Sequence, residues 1–124
     1  MKYLLVAFGG ALGSGARYAL DGFVLRLSSP LFPSGTFVVN MLGCLIFGVI
    51  IGLAEVRSML TPTGRVFLLI GLLGGFTTFS TFTFETFHLV RGGEYARGLL
   101  NAVGQVLVAY IALWAGFAAT RAVL

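Results

Sequence analysis

The placement of charge constrains this chain more than any other feature. Lysine, arginine, aspartate and glutamate make up 10% of its 124 residues, against about 25% in an average soluble domain. They gather near the ends of long apolar runs, and 58% of all residues are hydrophobic. A helix needs about 20 mainly apolar residues to cross the hydrocarbon core. Four runs meet that need. The first covers residues 3–27, apolar to residue 20 with an amphipathic extension beyond it. The others cover residues 36–55, 65–88 and 95–120. The loops between them are short, so residues 1–124 read as one integral membrane domain, all-α, with four transmembrane helices and no tandem repeat.

Local chemistry supports these boundaries. Ser28, Ser29, Pro30 and Pro33 form the first loop, and Gly92 with Gly93 forms the last. Thr61 precedes Pro62, the pairing of a helix N-cap with proline at the first helical position. Glycines recur at four-residue spacing: Gly9 and Gly13, Gly48 and Gly52, Gly71 and Gly75. In lipid, helices gain nothing hydrophobic by associating, so small residues that let backbones touch read as packing seams. The first residues resemble a cleaved leader in composition, but the same small-residue pattern continues through them into "GARY", which favours a resident span. Cys44 is the one cysteine. It lies deep in an apolar run and reads as a small packing residue.

The third run is interrupted. From Gly74 to Phe84 it reads "GGFTTFSTFTF". Two glycines weaken the helix, and Thr77, Thr78, Ser80, Thr81 and Thr83 follow, interleaved with Phe76, Phe79, Phe82 and Phe84. Backbone groups freed inside a membrane must be buried in protein or line a polar cavity. A helix broken at mid-membrane is the mark of a permeation or binding site.

The eight lysines and arginines divide evenly. With four spans, Lys2, Arg57, Arg65 and Arg121 fall at one face, and Arg17, Arg26, Arg91 and Arg97 at or near the other. Orientation normally follows an excess of these residues on the cytoplasmic side. The balance predicts dual topology, with copies inserting both ways. Four short helices enclose little beyond their own side chains. Two opposed copies supply the inverted pair that many transporters build within one chain. An antiparallel homodimer is therefore expected.

Few chemistries fit. The net charge is +4, but no basic stripe exists to bind nucleic acid. No enzyme constellation is present. His88 stands alone with Glu85 one turn earlier, a pattern of interfacial hydrogen bonding rather than of a metal site. Proton-coupled antiporters of similar size carry a carboxylate inside the first span, where this chain reads "LLVAFGGALGSGA". Arg17 either snorkels to the interface with Asp21 one turn on or draws anions into a vestibule. Asn40 lies inside the second span, and Asn101 and Gln105 share one face of the fourth. With the hydroxyls of the third run they make a track of donors with almost no fixed charge. Amide and hydroxyl hydrogens suit an anion, as do the positive edges of Phe79 and Phe82, three residues apart on one face. The carbonyls freed at the break suit a cation.

These residues resemble the CrcB (Fluc) family of fluoride channels. Three stretches carry the resemblance: "GGALGSGARY" at 9–18, "GTFVVNMLGCLIFG" at 35–48 and "GGFTTFSTFTFE" at 74–85. The last is the most specific. The resemblance implies a dual-topology homodimer with two antiparallel pores in the inner (plasma) membrane, and passive export of fluoride that protects the cytoplasm. It implies a structural sodium ion at the dimer centre, held by the backbone carbonyls of Gly74 and Thr77. It places Phe79 and Phe82 along the pores, with Ser80, Thr81, Asn40 and Arg17 on the fluoride pathway. On the fourth span the family often has Tyr and Ser where this chain has Asn101 and Gln105, which become the candidate lining there. The alternatives are a multidrug-type proton antiporter and an assembly subunit without transport.

Overall fold

The computed structural model describes residues 1–124. It is all-helical, with no strand. Helix α1 spans Lys2–Leu27 and α2 spans Ser34–Arg57. The third segment is composite. It opens with α3, Pro62–Arg65, and continues as a π-helical stretch, Val66–Leu73, then α4, Gly74–Phe76. After two extended residues it resumes as α5, Phe79–Arg91. Helix α6, Tyr95–Val123, closes the chain.

Thr61 caps α3 as its sequence position foretold: its hydroxyl accepts from the Gly64 N–H at 3.0 Å, ahead of Pro62. Three helical stretches are long and apolar enough to cross a membrane: Ser34–Arg57, Pro62–Arg91 and Tyr95–Val123. Helix α1 is long enough, but its glycines, Ser14, Arg17 and Asp21 dilute its apolar character.

The exterior is apolar. Leu107, Ile111, Trp114, Phe87 and many similar residues are exposed, while Thr36, Asn101, Gln105 and Thr120 are buried. In water this inside-out arrangement would expose large contiguous apolar patches, a cost a lipid solvent removes. The buried apolar centre is small: Val39, Leu73 and Phe76, with Leu20, Phe47, Ile50 and Leu69 packed around it.

Glycine seams hold the helices together. The most extensive pairing is α2 against α6, followed by α1 against the π-helical stretch. In the first seam a Cβ on Gly48 would overlap the Leu113 carbonyl, and one on Gly116 would overlap the Leu45 carbonyl. In the second, a Cβ on Gly9 would come within 2.8 Å of the Phe67 carbonyl, and where the seam runs on into α4 one on Gly75 would come within 2.7 Å of the Gly10 carbonyl. Backbones this close exclude any side chain, which is what the four-residue spacing predicts for packing in lipid.

Candidate functional site

The break falls at Thr77 and Thr78, both extended, with φ, ψ of −81°, 158° and −148°, 120°. Gly74 itself is still helical. Thr78 starts α5 as its N-cap, its hydroxyl accepting from the Thr81 N–H at 3.3 Å. In a continuous helix the Thr78 N–H would donate to the Gly74 carbonyl. Here it donates to Asn40 Oδ1 at 2.9 Å, and Asn40 Nδ2 donates back to the Thr78 carbonyl at 3.1 Å. Asn40 thus supplies from α2 both partners that one peptide unit lost at the break, as burial in lipid requires.

Asn40 also reaches α6. Its Nδ2 donates to Gln105 Oε1 at 2.6 Å. Gln105 Nε2 donates to Asn101 Oδ1 at 3.0 Å, Asn101 Nδ2 to the Thr86 hydroxyl at 2.9 Å, and that hydroxyl to the Phe82 carbonyl at 2.9 Å. Asn101 is 0% and Gln105 4% exposed. The amides expected to share one face of α6 do so, and they form a relay from the break to the backbone of Phe82.

A cavity of about 300 Å³ opens beside this relay, lined by Asn40, Thr77, Thr78, Phe79, Phe82 and Gln105, among others. The Phe79 and Phe82 rings lie 5.6 Å apart at 54°. Phe82 is 9% exposed and Phe79 77%, so one ring is held inside the chain while the other projects from it. Cys44, taken from sequence as packing only, also lines this cavity. A second cavity, about 50 Å³, is lined by Arg17, Tyr18, Asp21, Thr36, Thr78 and Thr81, with Val39 at its wall. Thr78 borders both.

Arg17 does not pair with Asp21; the ion pair in the fold is Arg97 with Glu94 at 2.9 Å. Arg17 Nε instead donates to the Gly75 carbonyl at 3.1 Å, joined there by the Ser14 hydroxyl at 3.4 Å. A cation at the C-terminal end of a helical segment is favoured by the helix dipole. Ser80 is exposed and makes no hydrogen bond within the chain, and Thr81 accepts from the Thr78 hydroxyl at 3.1 Å. Asn101 is fully buried in the relay and does not line the larger cavity, whereas Gln105 does.

The carbonyls at the break divide into two sets. Side chains donate to those of Leu73, Gly75 and Thr78. None donates to those of Gly74 and Thr77, and Gly74 is exposed. The Thr77 hydroxyl is spent on the Leu73 carbonyl at 2.9 Å.

Sequence reasoning missed one pair. Glu85 turns away from His88 and accepts from the Thr36 hydroxyl at 2.7 Å, leaving its Oε2 buried without a partner. His88 stacks on Phe84, with centroids 6.1 Å apart. Thr36 and Glu85 lie 49 residues apart, and neither shows a local pattern that would have linked them.

Residues 4–117 match the family model described as CrcB-like protein, Camphor Resistance (CrcB). The chain is 49% identical over 122 residues to a protein of Nitratidesulfovibrio vulgaris (strain Miyazaki F), covering 98% of each. It is 45% identical over 120 residues to one of Maridesulfovibrio salexigens, covering 97% of this chain and 95% of the relative. It is also 45% identical over 117 residues to one of Methylobacillus flagellatus, covering 94% and 91%. All three relatives bear the name fluoride-specific ion channel FluC.

Proposed function

The chain belongs to the CrcB family, and we infer from that membership and from its site that it is a fluoride-specific ion channel. It is a membrane protein and not an enzyme. The observation that carries the reading is the unwound pair Thr77–Thr78 at the wall of a cavity that joins amides to phenylalanine rings. A small hydrated anion gives up water only where several groups replace its shell. Amide hydrogens and ring edges replace part of it without a fixed charge that would hold the ion too tightly to leave. The test is efflux from proteoliposomes loaded with potassium fluoride, with a potassium ionophore to relieve the voltage. Fast fluoride loss without a pH gradient, and none of chloride, is expected. Fluoride loss that requires an imposed proton gradient would defeat the channel reading.

In this reading α1 also crosses the membrane, as the first of four spans, its diluted composition being tolerated because Gly9 and Gly13 pack on the third segment rather than on lipid. Two copies pair antiparallel in the inner membrane, and fluoride leaves the cytoplasm passively through them. Phe79, projecting from its protomer, and the exposed Gly74 suit a face covered by the second copy.

A sodium ion at the dimer centre belongs to the same reading. The carbonyls of Gly74 and Thr77 are the ones at the break that no side chain occupies, and neutral carbonyl oxygens suit a hard cation. Two copies would bring four such oxygens, and the ion would tie the copies together. Thr77→Ala should leave both flux and the ion in place, because the hydroxyl is already spent on Leu73. Reconstitution with N-methylglucamine in place of sodium should lower dimer stability and flux. Loss of the ion from Thr77→Ala, measured by elemental analysis of the purified protein, would assign the ligand to the hydroxyl instead.

A further inference from the structure

Packing fixes which helix ends lie together. Gly9 of α1 meets Phe67 and Gly71, and Gly13 meets Leu72 and Phe76, so α1 and the third segment run parallel. Gly48 of α2 meets Leu113, and Gly52 meets Phe117 and Thr120, so α2 and α6 also run parallel. Gly35, at the start of α2, meets Asp21 near the end of α1, so one pair runs opposite to the other. Lys2 and Arg65, at the starts of one pair, therefore share an end of the bundle with Arg57 and Arg121, at the finish of the other.

The two ends hold equal numbers of cations but unequal charge. Arg17, Arg26, Arg91 and Arg97 lie at or toward one end with Asp21, Glu85 and Glu94, whereas Lys2, Arg57, Arg65 and Arg121 share theirs with Glu55 alone. The cations also differ in what occupies them. Arg17 donates to the Gly75 carbonyl and Arg97 pairs with Glu94, both at or toward the end rich in carboxylates. The four cations of the other end are all exposed, and no ion pair within the chain uses their N–H groups.

Depth matters as much as charge. Tyr110, Trp114 and Phe117 climb α6 toward the more cationic end, ring edge to ring face. Tryptophan and tyrosine collect where acyl chains meet headgroups, and Trp114 is exposed on this stripe. The Arg121 guanidinium folds back over the Phe117 ring, 5.3 Å from its centre. That brings it to within about one helical turn of Trp114. Its N–H groups then stand at the level of lipid phosphates rather than out in bulk water.

We propose that this end of the bundle is a docking collar for lipids whose phosphate headgroup carries a net negative charge, and that Arg57 and Arg121 supply its guanidinium contacts. A guanidinium holds a phosphate through two parallel N–H bonds. The two arginines end the most extensively packed helix pair, α2 and α6. The occupant is a lipid because the exterior below the collar is apolar, so acyl chains surround it. A zwitterionic headgroup brings an ammonium beside its phosphate, and four cations against one carboxylate disfavour it. The opposite end, where three carboxylates offset the cations, has no such preference. None of this depends on fluoride transport or on how two copies pair.

The purified protein in detergent is titrated with phosphatidylglycerol or with phosphatidylcholine of matched chains, and bound lipid is read by native mass spectrometry. Phosphatidylglycerol should bind at least about fivefold more tightly, the attraction of one basic residue to an anionic surface. Arg57→Gln with Arg121→Gln should lose most of that preference. Arg26→Gln with Arg91→Gln removes the same charge from the opposite end, also at exposed positions, and should keep it. Inorganic phosphate at the same concentration should not displace the lipid; displacement would overturn the lipid assignment in favour of a free ion. Equal binding of the two lipids would overturn the collar. So would equal losses in the two double variants, since net charge alone would then be acting. If the first double variant does not fold, a phosphatidylglycerol with a photoreactive headgroup decides on the unaltered protein. Crosslinks should map to the peptides that hold Arg57 and Arg121. Crosslinks gathered around Arg26 and Arg91, or spread evenly over both ends, would overturn the proposal.

Discussion

Two lysines added after Leu124 leave the protein inserted in one orientation and without fluoride flux when it is expressed alone. The four-against-four division of basic residues is what makes this expected. With four spans Arg121 falls at the same face as Lys2, Arg57 and Arg65, so two further positive charges would change the balance to six against four at that face. Orientation follows the lysine and arginine bias of short loops and span ends, and a chain balanced to start with is the kind a small bias can tip. A uniformly oriented population has no antiparallel partner. Phe79 would then remain exposed and the cavity beside it open to lipid. Flux should return on co-expression with a chain biased the opposite way, for example Ser29→Lys with Leu31→Lys, both exposed in the loop at the other face. Efflux from reconstituted membranes, with protease accessibility of a terminal tag as the orientation readout, makes the comparison. Full flux from the single-orientation protein would remove the antiparallel dimer from the mechanism.

Phe82→Ile is expected to reduce fluoride efflux by roughly two- to tenfold, on the scale of aromatic contributions beyond burial, while the purified protein still elutes normally. The Phe82 ring is buried and tilted against Phe79, and its backbone carbonyl ends the amide relay. Isoleucine retains much of the bulk and loses the positive ring edge. Phe79→Ile should also lower flux, but by a different route, since Phe79 projects from the chain and meets whatever covers it. Phe67→Ile is the control. Phe67 stacks on Phe8 with centroids 6.2 Å apart, well away from the cavity lining, and its loss should leave flux nearly intact. Initial efflux rates at matched protein density measure all three. Unchanged rates for both Phe79→Ile and Phe82→Ile would make the pair packing residues and move the pathway to another face.

What the sequence made legible follows from how each signal is written. Apolar length and capping are local, so the helical segments, the Thr61 cap and the break beside Gly74 were readable in order along the chain. Glycine spacing gave the seams, because contact between backbones in lipid admits almost no other residue. The π-helical form of Val66–Leu73 was not readable: "VFLLIGLL" has the composition of any apolar helix, and nothing in it distinguishes the wider winding. Arg17 was read as an interfacial or vestibular charge because Asp21 stands one turn away. Its partner is a carbonyl 58 residues distant, left without a helical N–H only because the third segment breaks just beyond it. Asn40 and Gln105 each read as lining a path, but their bond across 65 residues is a property of the folded bundle alone.

The glycine seams carry a thermodynamic consequence. A soluble domain owes the curvature of its stability with temperature to apolar surface that meets water on unfolding and raises the heat capacity. When α2 parts from α6 within a bilayer, Gly48 and Gly116 exchange the backbone of a neighbouring helix for acyl chains, and little water is involved. The heat-capacity change of helix separation should therefore be small. Stability then varies almost linearly with temperature instead of passing through a maximum, and the cold-induced loosening that a hydrophobic core invites has no counterpart along these seams.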